Sequence, residues 1–245
     1  MNQFGIGQVL GTGFKVWAKN LIPFTLIALL IYSPLIIWGV VVVQDPLAHL
    51  DTLKHWQWYA VGLGMLFNAA TAATLTYGVV MELQGTHASL GKCLSAGFAR
   101  LFPVLGVVLL SSIAIVAGLI AIIVPGVILA CMFYVATPVA VIEKPGVFES
   151  LSRSKALSQG RKGEIFVILI VMAVIGIIIT QIEKTMLVPS DPEAALRALP
   201  TLMYIDLGTQ VFLAALGSVM ASVAYYYLRL EKEGTSANEL AKVFE

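Results

Sequence analysis

Chemistry in this chain would have to rest on three histidines, two cysteines and a scatter of hydroxyl and amide side chains. His49, His55 and His87 stand in no HExxH pattern or other metal-ligand spacing. His49 and His55 share a stretch with Asp45 and Asp51, which reads more simply as solvated polar residues than as a metal site. Cys93 and Cys131 form no CxxC, and their segments are expected at different membrane depths, so each reads as a small buried hydrophobe. No G-x-S-x-G, P-loop or dinucleotide fingerprint occurs. The apolar stretches hold no Asp pair, Ser–His pair or His–Asp cluster of the kind intramembrane catalysis needs. The expectation is therefore no catalytic residue, no cofactor and no metal: not an enzyme.

What remains is polar rather than reactive. Asn68, Thr71 and Thr74 follow one helical face inside an apolar stretch and form a candidate polar groove for a lipid headgroup or small solute. The competing reading is hydrogen bonding between packed helices. Ser111, Ser112, Gln210, Ser218 and Ser222 lie in other apolar stretches. Glu183, Lys184 and Asp206 fall at the ends of theirs, and Pro34 and Pro138 are placed to kink two of them.

The elements that must position these residues follow from composition. Of 245 residues, 59% are hydrophobic and 12% charged, with a net charge of +1. Soluble domains carry about 25% charged residues. There is too little polar surface to coat a soluble globule, and no basic run for nucleic acid. Mean hydropathy is +0.91. A helix crossing ~30 Å of hydrocarbon needs ~20 apolar residues. Six stretches qualify: about 21–43, 58–81, 102–123, 126–142, 165–182 and 204–228. The expected fold is a single all-α integral membrane domain over 1–245, ending in a short cytoplasmic tail, 231–245. Val124-Pro125-Gly126 predicts a tight turn joining the third and fourth spans. With the N-terminus in the cytoplasm, twelve of the fifteen Lys and Arg fall on the cytoplasmic side, and Lys54, Lys184 and Arg197 on the other. That split predicts both termini inside.

Two amphipathic helices precede spans. Ile6, Val9, Leu10, Gly13, Phe14 and Trp17 sit at i, i+3, i+4, i+7, i+8 and i+11. Leu90, Cys93, Leu94, Gly97, Phe98 and Leu101 repeat the pattern 84 residues later. Pro23 and Pro103 then lead into the spans. A weaker third copy begins at Pro145, with Glu149 and Arg153 spaced as a helical ion pair. Aligning Leu151 with Leu10 and Leu94 sets Ser154 opposite Gly13 and Gly97. The chain thus reads as a degenerate threefold repeat, each unit a short helix followed by two spans. Phe14, Trp17 and Phe98 are candidate contacts to membrane or partner. So are Glu143, Arg153, Ser154, Lys155, Arg161 and Lys162, whose basic members could hold anionic lipid.

The passage `PVAVIEKPGVFESLSRSKALSQG` resembles the six-span membrane-domain family. That family includes the membrane domain of some glycerophosphoryl diester phosphodiesterases and the stand-alone bacterial inner-membrane proteins of the YciC type. The matching positions are Pro138, Glu143, Ser150, Leu151, Arg153, Ser154, Leu157 and Gly160, and the opening `IGQVLGTGFKVWAKNLIPFTLIALL` is similar to the family's start. The resemblance implies the fold and a bacterial inner-membrane location, without a phosphodiesterase domain. The leading expectation is a non-catalytic membrane protein acting through its cytoplasmic amphipathic surface, in membrane organisation or beside a lipid or envelope system. Its expected partners are membrane lipid, anionic lipid included, and a protein partner or a second copy, but no nucleic acid. The alternative is a small transporter or permease component for a lipid-like or apolar substrate.

Overall fold

The computed structural model describes residues 4–44, 55–87, 89–187 and 191–234. Among these the chain is all-α. The first unit comprises α1 (Ile6–Lys19), α2 (Leu21–Gln44) and α3 (Trp56–Leu83). The second comprises α4 (Leu90–Ala99), α5 (Leu101–Ala121), α6 (Ile123–Phe133) and α7 (Ala136–Ile142). The third comprises α8 (Val147–Ser158), α9 (Lys162–Leu187) and α10 (Pro192–Glu233). Six segments are long and apolar enough to cross a membrane, α6 and α7 together making one of them.

The threefold pattern is a packing scheme. Each unit's second span faces inward: 61% of the span residues in α3 and in α10 are buried, against 11% in α5 and in α9. Each short helix docks on the second span of the preceding unit. α4 packs on α3, α8 on α6 and α7, and α1 on α10, closing the ring. The three aligned small residues mark the contacts. A Cβ on Gly97 would lie 2.7 Å from the Thr74 Cα, and one on Gly13 would lie 2.3 Å from the Met220 sulfur. Ser154 donates to the Met132 carbonyl at 2.7 Å. Small residues permit this approach because in lipid the helices gain from contact rather than from leaving water.

The junctions are tight for local reasons. Asn20 and Arg100 alone separate α1 from α2 and α4 from α5. Pro23 and Pro103 occupy the third position of the following helix, where a missing N–H is harmless. The Asp191 carboxylate caps α10 by accepting from the Ala194 N–H at 2.9 Å, with Pro192 in the first turn. Gly234 ends it in the left-handed region, φ 60°.

Several boundaries differ from the sequence expectation. The turn between the third and fourth spans falls at Ile122, in extended conformation, and Pro125 lies in the first turn of α6. Gly118 and Gly126 let the hairpin close backbone to backbone. The fourth span is not continuous: the helix breaks at Tyr134–Val135, four residues before the proline that removes the next backbone donor. Pro34, by contrast, sits inside an unbroken α2. The last span is part of a 42-residue helix, so most of the stretch between the fifth and sixth expected spans is helical. Pro145 precedes the N-cap, Gly146, instead of opening α8. Asp45, His49, Asp51 and the tail beyond Gly234 lie outside the described residues.

Candidate functional site

Two regions compete for function: the face that carries both termini and the short helices, and the space between the inner spans. On the first, the amphipathic stripes divide. Val9, Gly13 and Val16 of α1 and Cys93 and Gly97 of α4 are buried against the spans. Phe14 and Phe98 flank them, 38% and 54% exposed. Trp17 is not a free surface residue: it is half-buried, edge-on to Phe212 of α10 at 5.1 Å between ring centroids. Phe148, at the start of α8, is 73% exposed and belongs with Phe14 and Phe98, although the stripe template passed it over.

The charged residues of this face pair with one another. Glu143 accepts from Arg153 Nε at 2.8 Å and from the Tyr225 hydroxyl at 3.0 Å. Arg153 also pairs with Glu233, which accepts from Arg229 at 2.8 Å, and Arg229 donates to Tyr225 at 3.0 Å. The i,i+4 partner expected for Arg153, Glu149, is replaced by these two glutamates from other elements. Arg161 joins Glu164 at 2.8 Å and Glu231 at 2.9 Å. Those carboxylates, Glu164 first, hold its guanidinium above its ordinary value and keep it charged. Glu231 also accepts from the Phe4 N–H at 2.7 Å, tying α1 to the end of α10. Ser154 is fully buried and so is no surface contact. Of the basic candidates, Lys155 is exposed and Lys162 half-buried, whereas Arg153 and Arg161 are neutralised within the molecule. Tyr225 is buried inside this network.

Between the inner spans lies a cavity of about 650 Å³. Its wall draws on all three units, with Asn68 and Thr76 from α3, Ser112 from α5, Tyr134 and Thr137 at the break in the fourth span, and Gln210 from α10. The candidate groove of Asn68, Thr71 and Thr74 is corrected here. Asn68 lines the cavity, but Thr71 and Thr74 are turned away, buried without hydrogen-bond partners, Thr74 beneath Gly97. The lining face is Asn68, Ala72 and Thr76, at i, i+4 and i+8. Asn68 and Gln210 are exposed and mark the mouth. Ala221 lies at the far end, and Tyr225 with its ion-pair network follows one turn beyond. Thr76 and Ser222 are joined at 3.1 Å, and Gln210 donates to Asp206 at 2.7 Å.

Sequence reasoning missed Tyr134 and Thr137. Their signal was Pro138, which was read as a kink and not as the edge of a break. No cluster of three metal-ligating side chains occurs among the described residues. Comparison with family models, curated proteins and solved structures found no match.

Proposed function

We propose that the protein is a non-catalytic integral membrane protein that binds a lipid-like molecule between its inner spans and moves it within or across the bilayer. The observation that carries this reading is the cavity, lined by polar side chains of all three units at an interrupted helix. Discontinuous spans at a repeat interface are where transporters build their sites, because irregular backbone is tolerated only where it lines a cavity. The ion-pair network beyond Ala221 closes the end nearer the termini.

A second reading keeps the face of the termini as the working surface. Phe14, Phe98 and Phe148 support it, since large exposed apolar rings beside lysines suit the headgroup boundary. We place that face in the cytoplasm from the distribution of Lys and Arg, and the membrane as a bacterial inner membrane from the resemblance to the six-span family. Membership in the six-span membrane-domain family is part of the same proposal. The matched positions form one structural unit: Pro138 lines the cavity, Glu143 pairs with Arg153, Ser154 holds Met132, Leu157 is buried and Gly160 turns at φ 86°.

Native mass spectrometry of the protein released from its own membrane tests the cavity reading. A stoichiometric small amphiphile on the wild type, lost when Ala72→Phe fills the cavity, is the expected result. A chain carrying the same bulk lipid in both forms would contradict it.

A further inference from the structure

Ion pairing on the face of the termini leaves a remainder of one sign. The carboxylates there are nearly all matched. Glu82 pairs with Lys19 at 2.5 Å. Glu143 and Glu233 share Arg153, and Glu164 and Glu231 share Arg161. Of the described carboxylates on this face, only Glu149 has no ion-pair partner among the described residues. Lys232 donates to the Gln159 carbonyl at 2.8 Å. The side chains of Lys15, Lys92, Arg100, Lys144, Lys155 and Lys162 have neither hydrogen bond nor ion pair among the described residues. Six free cations thus stand against one free carboxylate, and they are spread over all three units.

A second observation says what meets them. Each unit carries an exposed ring in the same stretch of chain: Phe14 beside Lys15, Phe98 two residues before Arg100, and Phe148 seven residues before Lys155 on one side of α8. The rings are continuous with the lipid-facing spans, because exposed Ile22 and Phe102 open α2 and α5 directly after the short helices. A soluble anion would neutralise the cations and leave the rings in water. An anionic phospholipid offers a phosphate to the cation and an acyl chain to the ring at one site.

Resting on the second reading above, in which this face lies at the headgroup boundary, we infer that it binds anionic phospholipid in preference to zwitterionic. The free cations and the three rings hold the lipid. Arg153 and Arg161, which the sequence pattern put forward, take no part, because carboxylates within the molecule already occupy them.

The test reconstitutes the full-length protein in bilayers of equal parts phosphatidylglycerol and phosphatidylcholine. The protein is then released gently and weighed with the lipid it retains. Phosphatidylglycerol is expected to be enriched about fivefold over its share of the bilayer, the effect of one basic residue per lipid. The enrichment should shrink as salt is raised. A triple variant removes one exposed lysine from each unit: Lys15→Gln, Lys92→Gln and Lys155→Gln. None of the three side chains has a partner to lose, so the thermal unfolding midpoint should hold while enrichment falls to about twofold or less. The same three positions changed to Arg should keep it. A bulk lipid ratio on the wild type, or wild-type enrichment on the Gln variant, overturns the inference. A nitroxide on Phe98→Cys, with Cys93 and Cys131 replaced, separates this from failure of the underlying reading. A label at headgroup depth beside a bulk lipid ratio overturns the preference alone, whereas a label in water overturns the reading and the inference with it.

Discussion

The face of the termini and the inner cavity are built on opposite rules. On the face, the partly buried charges pair within the molecule. Glu143, Arg153, Glu233, Arg229 and Tyr225 close into one network, and Arg161 bridges Glu164 and Glu231. In the cavity, uncharged side chains of all three units line an open volume of about 650 Å³. A satisfied network fixes a structure, whereas a void lined by polar side chains leaves room for a ligand. The comparison makes the space between the spans, rather than the amphipathic helices where the sequence pattern put the weight, the first region to test.

The largest expected effect breaks the docking on which the face depends. Gly97→Ala sets a Cβ 2.7–2.8 Å from Thr74 backbone atoms, which cannot move aside. A loss of about 3 kcal/mol is expected, read as a fall in the thermal unfolding midpoint. Gly13→Ala meets only the Met220 side chain. Methionine re-packs easily, so about 1 kcal/mol or less is expected there. Equal losses would show that the two dockings are not distinguished by backbone contact.

Arg153→Ala comes next. It leaves Glu143 and Glu233 without a shared cation, at a site where Arg153 is 31% exposed. A cost of about 1–2 kcal/mol is expected, smaller in high salt. An unaltered midpoint would show that the network does not hold α8 to the end of α10.

Phe14→Asp and Phe98→Asp should change stability by only about 0.5 kcal/mol, because both rings are substantially exposed. All six spans should still insert. Under the cavity account, ligand binding persists in both variants. A loss of binding would return function to the surface.

The smallest effect concerns the native thiols. Cys93 and Cys131 are buried. Burial pushes the Cys93 thiol up, so less reactive thiolate exists at a given pH than for a free cysteine. Maleimide labelling of the native protein at neutral pH should be slow and should rise on unfolding. Rapid labelling of Cys93 would contradict the tight docking of α4.

The architecture was legible because lipid leaves few choices. Uninterrupted apolar runs near twenty residues must be helices, and the Gly13 and Gly97 registers located both docking contacts. The match of Ser154 to those glycines, made on one leucine, located the third. The groove was legible only in part. Asn68, Thr71 and Thr74 share a broad arc of α3, and helical periodicity alone cannot tell which edge of that arc faces a neighbour's backbone and which faces a void. The approach of α4 decides it, burying Thr74 under Gly97 and leaving Asn68, Ala72 and Thr76 on the cavity. Tyr134 was hidden for a related reason. A proline in an apolar run is compatible with a kink or a break, and packing of α7 against α3 and α8 settles which occurs. The Glu149–Arg153 pair failed because local spacing was outweighed by two carboxylates arriving from α10 and the end of α7.

Single-cysteine accessibility tests the central claim most directly. In a background with Cys93 and Cys131 replaced by serine or alanine, Asn68→Cys and Thr71→Cys are each treated with a membrane-impermeant maleimide in sealed vesicles of known orientation. The cavity account predicts rapid labelling of Asn68→Cys from one side only, slowed by bound ligand, and no labelling of Thr71→Cys three residues away. Equal reactivity at the two positions, or an inert Asn68→Cys, would contradict it.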